Sequence, residues 1–465
     1  MASRQTSRSS IIYQNTAQTI ALIDIPQSIA AAQGRTDTLL STTPLEAPIE
    51  PREDYQPKSQ RAKGKAKAAV AHHPPSHGSH HVEYKALIKQ ALKEIHAHVS
   101  GQWCRPRRLL EPNSEHAHSM EIDDPEKELD SCLRQWAAAA ERKGVDTAFD
   151  LQQMMASLGS AASEDVATGQ QVVSQGWIAA TVSRNEPRRE PWTSTFHNPM
   201  PSSLELTISK SVTPDSPPGQ EYRFTIPPCS TIFLSDTAHS ESFRAAFREV
   251  TDEYTLPRHF NLVLLDPPWP NRSVKRKQGT YDQVGGMPYL RKMLLRMDLD
   301  SYMEHNALVG VWITNKEALR QHVLGPGGLF ETWNVGLIEE WVWIKTTTRG
   351  EPMFDIDNGM RKPYEVLLLG RTAPNAWTTM AHAPDVKRRV IAAVPDVHSR
   401  KPCLKEMLES YLPADYSALE VFSRYLVSGW TSWGNEALKY QWDFYWASEP
   451  GDEVRNVHQL PFRMG

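Results

Sequence analysis

Cysteine is scarce in this sequence. Four of its 465 residues are cysteine, and no two of them form a CxxC pair. So few cysteines argue against a disulfide framework, and the missing pairs argue against a cysteine-based zinc module. The sequence therefore predicts no metal site and a reducing, intracellular compartment.

Long apolar runs and a strong charge of one sign are also missing. No apolar run is long enough to span a bilayer, and the first residues lack the apolar core of a secretory signal. The 51 Lys+Arg residues against 55 Asp+Glu residues leave a formal net charge of -4. Attraction to nucleic acid would therefore depend on local basic patches, because the average charge of the chain opposes it. We expect a soluble protein that makes no membrane contact.

Residues 1–82 differ in composition from the rest of the chain. They are rich in Ser, Thr, Gln, Ala and Pro, and they contain the basic run KSQRAKGKAK (58–67) and a His-rich stretch (72–81). Such a segment buries little apolar surface, so it is predicted to be largely disordered. The basic run is read as a nuclear-import signal, as an arm that contacts phosphate or as a solvated linker. We expect a nuclear protein, with the cytoplasm as the alternative.

Residues 83–215 are predicted to form an accessory α+β region. Apolar residues recur every three or four positions from residue 83, which predicts a helix, and a second helix is predicted over Pro125–Arg142. Strand-like pieces such as QQVVSQGWIAATV and LELTISKSV follow, separated by proline-rich stretches.

Residues 221–445 are predicted to form an α/β domain, followed by a C-terminal tail at 446–465. Short apolar runs alternate there with segments of helix length: YRFTI, STIFL, NLVLL, ALVGVWIT, LIEEWVWIK, YEVLLLG, RVIAAV and ALEVFS. Runs that are apolar on both faces are typical of a mostly parallel sheet covered by helices on both sides. Ligands of such folds bind beyond the carboxyl ends of the strands.

The run NLVLL ends directly in Asp266, Pro267, Pro268 and Trp269. Two consecutive prolines fix the backbone in a stiff turn, so the Asp carboxylate and a proline carbonyl can point into one cleft. These two acceptors suit an exocyclic adenine amine, which must pyramidalise and lose a proton when it attacks a methyl group, and an aromatic ring suits the flat base. The alternative is a structural turn in which the Asp caps a helix and the Trp fills the core.

At these residues the sequence resembles the MT-A70 family of adenine N6-methyltransferases, and within it the branch called methyltransferase-like protein four. Five segments carry the resemblance: DPPWPNRSVKR, WVWIKTTTRGEP, RKPYEVLLLGR, VHSRKPCLKEML and GWTSWGNEALK. It extends from about Phe224 to Gln441. It implies a Rossmann-like, S-adenosylmethionine-dependent methyltransferase fold in circularly permuted order, with the catalytic motif ahead of the main cofactor strand. That order accounts for the absence of GxGxxG from this domain.

The resemblance also implies individual site residues. The cofactor S-adenosylmethionine would be held by Asp236, Lys401, Arg424, Asn435 and Glu436, with Lys401 at its carboxylate end. Sequence position, in the polar loop after the motif and at the ends of two strands, predicts that the substrate is bound by Asn271, Lys275, Arg276, Lys345 and Glu365. Some of these residues have simpler interpretations: the basic cluster after the motif as a soluble loop, and Glu365 as a partner of Arg361 or Lys362. Trp343, at the same strand end as Lys345, is interpreted as a site residue or as a core residue.

Three functions remain open at this point. The first is methylation of the N6 amine of adenine, with RNA favoured (2′-O-methyladenosine of small nuclear RNA, as the resemblance implies) and DNA as the alternative. The second is a catalytically inactive, nucleic-acid-binding family member. The third is methylation of a protein glutamine, which the Asp and the Trp of the motif disfavour, because such enzymes usually carry Asn at the first position and Tyr or Phe at the fourth. We expect a monomer that binds nucleic acid.

Overall fold

The structure, a computed structural model, describes residues 9–50, 79–110, 125–146, 177–183, 186–210, 221–270, 286–358, 362–397 and 400–448. Its strands are, in chain order, β1 Ile11–Gln14, β2 Ile20–Ile23, β3 Thr38–Leu39, β4 Trp177–Ser183, β5 Glu186–Pro191, β6 Thr195–His197, β7 Leu204–Lys210, β8 Glu221–Ile226, β9 Thr231–Phe233, β10 Phe260–Leu265, β11 Met303–Thr314, β12 Val335–Lys345, β13 Tyr364–Thr372, β14 Lys387–Ala393, β15 Ala418–Val421, β16 Trp430–Trp433 and β17 Trp446–Ala447.

The helices are fewer and mostly short. They are α1 Ile25–Gln33, α2 Ser79–His98, α3 Pro125–Asp146, α4 Ser240–Tyr254, α5 Gly286–Arg296, α6 Glu317–Leu324, α7 Leu329–Thr332 and α8 Lys405–Leu408. The first two helices predicted from the sequence are present as α2 and α3. Across the residues that the structure describes, no helix combines the length and the apolar character needed to cross a membrane.

The chain divides into two compact units. The first contains Met1–Leu110, Leu308–Leu412 and Ala447–Gly465, and the second contains Glu111–Ala307 and Pro413–Trp446. These limits differ from the predicted ones: the predicted accessory region 83–215 and the predicted α/β domain 221–445 each contribute to both units.

The first unit contains strands in the order β1-β2-β14-β12-β13-β11. The pairs β2–β14 and β14–β12 are parallel, whereas β13 is antiparallel to both β12 and β11. The runs LIEEWVWIK and YEVLLLG are therefore strands, as predicted, but they pair antiparallel to each other. Most residues of β12 and β13 are buried, because both faces of these strands are covered.

The N-terminal segment contributes to this sheet, so the prediction of disorder is wrong for residues 9–50. Strand β2 (IALI) is buried along its whole length and pairs with β14, and helix α1 follows directly. The side chain of Asp24 caps α1 by accepting a hydrogen bond from Gln27 N (3.0 Å), and Gly34 ends the helix at φ 70°. Composition averaged over 82 residues concealed one short apolar run that an existing sheet edge can pair with. The basic run 58–67 and histidines 72–78 lie outside the described residues.

Helix α2 is fixed to the same sheet by a buried carboxylate on β12. Glu340, whose side chain is 0% exposed, contacts Arg320 of α6 and accepts hydrogen bonds from Arg388 Nε (2.9 Å) and from Tyr84 Oη of α2 (3.1 Å). Burial alone would raise the pKa of Glu340, but the two guanidinium groups outweigh it and hold the pKa below its usual value. A helix assigned to the accessory region is therefore part of the unit that contains β12 and β14.

The second unit contains a parallel sheet in the order β10-β15-β16-β9, with β6 antiparallel to β9 at its edge. The predicted α/β class is confirmed, and the strand that bears the motif (β10) precedes β15 in the chain, as the permuted order requires. Strand β16 was not predicted. It is only four residues long, WTSW, and its two polar residues obscure its burial pattern.

A second, antiparallel sheet in this unit has the order β5-β4-β7-β8. Trp136 of α3 is fully buried against it, with its ring 5.1 Å from that of Trp177 and 5.8 Å from that of Tyr222. The run YRFTI is thus strand β8 of this antiparallel sheet. The boundary predicted near residue 221 is absent for this reason, since β8 completes the sheet that β4 and β7 begin.

Candidate active site

The Asp-Pro-Pro-Trp motif begins where the ladder of β10 ends. Residues 262–265 are buried, and Asp266 N still donates to Val421 O of β15, at 3.4 Å. The next two residues are prolines, which have no N–H to donate, so pairing with β15 stops there. Trp269 N then donates to Pro267 O (2.7 Å), which closes a tight turn. The turn predicted from the two prolines is therefore present.

The environments of Asp266 and Trp269 differ. Asp266 is partly exposed at the strand end, whereas only 8% of Trp269 is exposed. Most of the indole surface is therefore covered by neighbouring protein atoms. A stacking role for Trp269 remains a prediction that uses the exposed part of its ring.

Four neighbouring parallel strands bring the predicted residues of the second unit to one edge. Asp266 follows β10, Arg424 follows β15, the pair Asn435 and Glu436 follows β16, and Asp236 follows β9. Because these strands are parallel, their carboxyl ends lie at the same edge of the sheet. Ligands of α/β folds bind at that edge.

The turn after β15 is tight although it lacks a glycine-rich sequence. Phe422 has a φ of 64°, in the left-handed region, and its N–H donates to Trp433 O (2.8 Å). Gly434 packs closely against this turn, since a Cβ at that position would lie 3.2 Å from the Cα of Phe422. A glycine on the neighbouring strand end therefore provides the space that glycines within the loop provide in glycine-rich turns.

Arg424, Asn435 and Glu436 lie together beyond β15 and β16. Arg424 Nε donates to Glu436 Oε2 (2.8 Å), so the guanidinium and the carboxylate position each other. Asn435 is 7% exposed, and its Oδ1 atom is buried without a hydrogen-bond partner among the described residues. The Ser423 hydroxyl is likewise buried without a hydrogen-bond partner among the described residues. Buried polar atoms are normally hydrogen-bonded, so these two can accept hydrogen bonds from ligand hydroxyl groups.

Asp236 has a structural role in the described conformation. Its Oδ1 accepts a hydrogen bond from Ala238 N (2.9 Å), and its carbonyl accepts one from His239 N (3.0 Å). These bonds shape the turn that leads into α4. One carboxylate oxygen is engaged in this turn, and the predicted contact of Asp236 with the cofactor stays a prediction.

In the first unit, Glu365 lies between two lysines. Lys345 Nζ is 2.6 Å from Glu365 Oε1, and Lys401 Nζ is 3.2 Å from Glu365 Oε2. Burial acts to raise the pKa of Glu365, but the charges of Lys401 and Lys345 outweigh burial and lower it to about 2. The carboxylate is therefore ionised at neutral pH. Of the two partners predicted for Glu365 in its simpler interpretation, Lys362 contacts His81, and residue 361 is outside the described part of the chain.

Tryptophan rings lie beside both lysines. Lys345 Nζ is 4.7 Å from the centroid of Trp343, and Lys401 Nζ is 5.5 Å from the centroid of Trp312. Trp343 is 2% exposed, which agrees with its interpretation as a core residue. The association of Lys401 with Glu365 was not predicted, because the two residues are 36 positions apart in the sequence.

The remaining predicted substrate residues, Asn271, Lys275 and Arg276, fall in 271–285, outside the described residues. Glu420 was missed by the sequence reasoning. Its signal was a charged residue inside the apolar run ALEVFS, and the structure places it in β15 between Leu264 of β10 and Ser432 of β16.

Comparison with known proteins confirms the resemblance. Residues 260–436 match the MT-A70 family model. The N6-methyladenosine RNA methyltransferase MTA1 of Cryphonectria parasitica is 38% identical over 219 residues, or 47% of this chain and 61% of that protein. The human N(6)-adenine-specific methyltransferase METTL4 is 33% identical over 240 residues, or 50% of this chain and 47% of that protein.

A nematode relative has a different named substrate. The DNA N6-methyl methyltransferase of Caenorhabditis elegans is 31% identical over 221 residues, which cover 47% of this chain and 54% of that protein. The chain thus matches about half to three fifths of the length of these three relatives.

Proposed function

We propose that this protein is an S-adenosylmethionine-dependent methyltransferase that modifies the N6 amine of adenine in nucleic acid, with RNA favoured. The observation that carries the proposal is the set of three parallel strand ends, those of β10, β15 and β16, that bring Asp266, Arg424, Asn435 and Glu436 to one sheet edge. The match of residues 260–436 to the MT-A70 family supports it independently.

The residues after β15 and β16 fit the cofactor. S-adenosylmethionine supplies an electrophilic methyl group on a sulfonium, together with ribose hydroxyls that donate hydrogen bonds. Asn435 Oδ1 is a buried acceptor without a partner among the described residues, which suits a ribose hydroxyl. Glu436 is fixed by Arg424 at 2.8 Å and provides a second acceptor of set orientation. By resemblance, Asp236 contacts the adenine of the cofactor and Lys401 contacts its carboxylate.

Asp266 fits the target amine. An exocyclic adenine amine is a weak nucleophile because its lone pair is delocalised into the ring. A carboxylate and a proline carbonyl that accept its two N–H bonds favour the pyramidal, positively charged nitrogen of the transition state. The ladder bond from Asp266 N and the two prolines hold the carboxylate at a fixed place before the substrate binds, which lowers the reorganisation needed during the reaction.

Relatives and chemistry together favour RNA. The relatives from Cryphonectria parasitica and Pyricularia oryzae, at 38% and 40% identity, are named RNA methyltransferases, and the nematode relative at 31% is named a DNA methyltransferase. An unpaired RNA base needs no flipping, whereas a duplex base costs a few kcal/mol to extrude. We propose a 2′-O-methyladenosine of small nuclear RNA as the target, Asn271, Lys275, Arg276, Lys345 and Glu365 as its contacts, and DNA as the alternative substrate.

A methyl-transfer assay on matched RNA and DNA oligonucleotides distinguishes the two proposed substrates. Purified protein is incubated with tritiated S-adenosylmethionine and each oligonucleotide, and the nucleosides are then separated and identified by mass spectrometry. We expect N6-methylated adenosine in the RNA, with more product when the target carries a 2′-O-methyl group. Product in DNA alone would contradict the RNA assignment, and no N6-methylated adenine in any substrate would contradict the proposed function.

The cofactor assignment predicts that Asn435→Ala weakens S-adenosylmethionine binding. Loss of one buried hydrogen bond to a ligand corresponds to about 1–1.5 kcal/mol, or about a tenfold higher Kd in calorimetry. Asn375→Ala is the matched control, because Asn375 lies on an exposed loop of the first unit. An unchanged Kd in the Asn435 variant would remove this residue from the cofactor site.

We further propose a nuclear, monomeric protein, as the sequence suggests. The basic run 58–67 supports import into the nucleus. Imaging of the full chain with and without its lysines at 58, 63, 65 and 67 tests the compartment, and light scattering tests the oligomeric state.

A further inference from the structure

A carboxyl group that the proposed reaction does not use lies beside Asp266. Glu420 is in register with Leu264 of β10, and Asp266 follows Leu264 by two residues. Side chains two residues apart on a strand point to the same face, and the hydrogen bond from Asp266 N to Val421 O extends the ladder as far as Asp266. Glu420 and Asp266 therefore lie on one face of adjacent strands.

The surroundings of Glu420 do not suit a negative charge. Its Oε2 atom is buried and has no hydrogen-bond partner among the described residues. Its register partners, Leu264 and Ser432, carry no charge, and among the described residues Asp266 is the charged group that raises its pKa. Burial and the charge of Asp266 together raise the pKa of Glu420 to about 8, so its carboxyl carries a proton at neutral pH.

A purely structural role would not require a carboxyl here. An ionisable group whose pKa is higher in the folded state than in the unfolded state lowers stability as the pH rises between the two values. A neutral side chain of the same shape would avoid this loss. What distinguishes Glu420 is its position next to the residue that faces the substrate.

We propose that Glu420 is a positioning residue for Asp266: its protonated carboxyl keeps a single negative charge at this strand end and holds the Asp266 carboxylate ready to accept the amine. The proposal rests on the function proposed above for Asp266. Two carboxyl groups in one site share one charge because repulsion disfavours the doubly ionised state. The pair therefore presents one carboxylate to the substrate and keeps the other group neutral.

The protonation of Glu420 is tested without cofactor or substrate. Urea unfolding is compared for the wild type, Glu420→Gln and the control Glu249→Gln, which changes an exposed glutamate of α4. The pKa of Glu420 is about 8 in the folded state against an ordinary value of 4.5, so its contribution to stability is complete below 4.5 and lost as the pH rises to about 8. Within this window, we expect the unfolding constant of the wild type to rise by up to about tenfold per pH unit relative to Glu420→Gln.

The control should follow the wild type at every pH. If the stability of Glu420→Gln and of the wild type depended on pH in the same way, the proposal would be overturned. Glu420 would then have the same pKa in the folded and unfolded states, and its carboxyl would be ionised at neutral pH.

The positioning role is tested by methyl transfer. Glutamine reproduces the size and the neutral state of the protonated carboxyl, whereas alanine removes the group. At neutral pH we expect Glu420→Gln to keep kcat within about threefold of the wild type, and Glu420→Ala to lower kcat by at least about tenfold with little change in KM. The wild type should lose activity as Glu420 ionises at alkaline pH, and Glu420→Gln should keep it.

A glutamine variant as slow as the alanine variant, or an alanine variant as fast as the wild type, would overturn the positioning role. A wild type that methylates no substrate would instead overturn the proposed function, and the unfolding comparison would still decide whether Glu420 is protonated.

Discussion

Replacement of Asp266 by asparagine is expected to lower kcat about 100-fold to 1,000-fold while the protein stays folded. A preorganised acceptor or donor aimed at the charge that develops in a transition state contributes about 2.7–4 kcal/mol. Asparagine keeps the size of the side chain but lacks the negative charge that stabilises the developing positive nitrogen. Its amide group also presents a donor where the adenine amine needs an acceptor. The loss should appear in kcat more than in KM, because the interaction strengthens in the transition state.

The control for this prediction is Asp385→Asn, a change at an exposed aspartate of the first unit. Thermal unfolding of both variants shows whether the fold is retained, and calorimetry with S-adenosylmethionine shows whether the cofactor still binds. An Asp266→Asn variant with more than about one tenth of the wild-type kcat would mean that Asp266 has only a structural role at the end of β10.

Replacement of Glu340 by alanine is expected to lower the free energy of unfolding by about 3–5 kcal/mol. The side chain is 0% exposed and is shared by Arg320, Arg388 and Tyr84. Its removal would leave Arg320 without its carboxylate partner and Arg388 with the half-exposed Glu83, and would remove a hydrogen bond that fixes Tyr84 of α2. Because the pKa of Glu340 lies below its usual value, this stability is present at neutral pH and is lost as the pH falls through the folded-state pKa.

Glu83→Ala is a matched control, because Glu83 also pairs with Arg388, at 3.0 Å, but its side chain is 50% exposed. An exposed ion pair contributes about 0–1 kcal/mol, so urea unfolding should show a small change for this variant. Equal losses for the two variants would show that burial does not set the strength of this network.

The sequence predicted the strands well and their pairing less well. The runs NLVLL, LIEEWVWIK, YEVLLLG and ALEVFS are all strands, because strands covered on both faces consist mostly of apolar residues. Strand β16 was missed because WTSW is short and half polar. Strand direction could not be read from these runs either, since a strand buried on both faces has the same apolar pattern in parallel and antiparallel pairs.

The N-terminal segment shows a second limit of prediction from sequence. Residues 1–82 have the composition of a disordered region, yet IALI within them is a buried strand of the sheet in the first unit. A four-residue apolar run stabilises little by itself and becomes a strand only when a partner strand is available. That partner, β14, lies more than 360 residues later in the chain.

The sequence by itself determined the motif, the α/β class and the resemblance to the MT-A70 family, because these depend on local order: an apolar run, two prolines, and segments in a fixed succession. Only the tertiary structure decided which side chains share a site. The association of Lys401 with Glu365 and Lys345, and of Glu420 with Asp266, depends on strand neighbours that are far apart in the chain. The charge of a carboxyl group depends on such neighbours and on burial, so Glu365 is ionised and Glu420 protonated although the sequence presents both as glutamate.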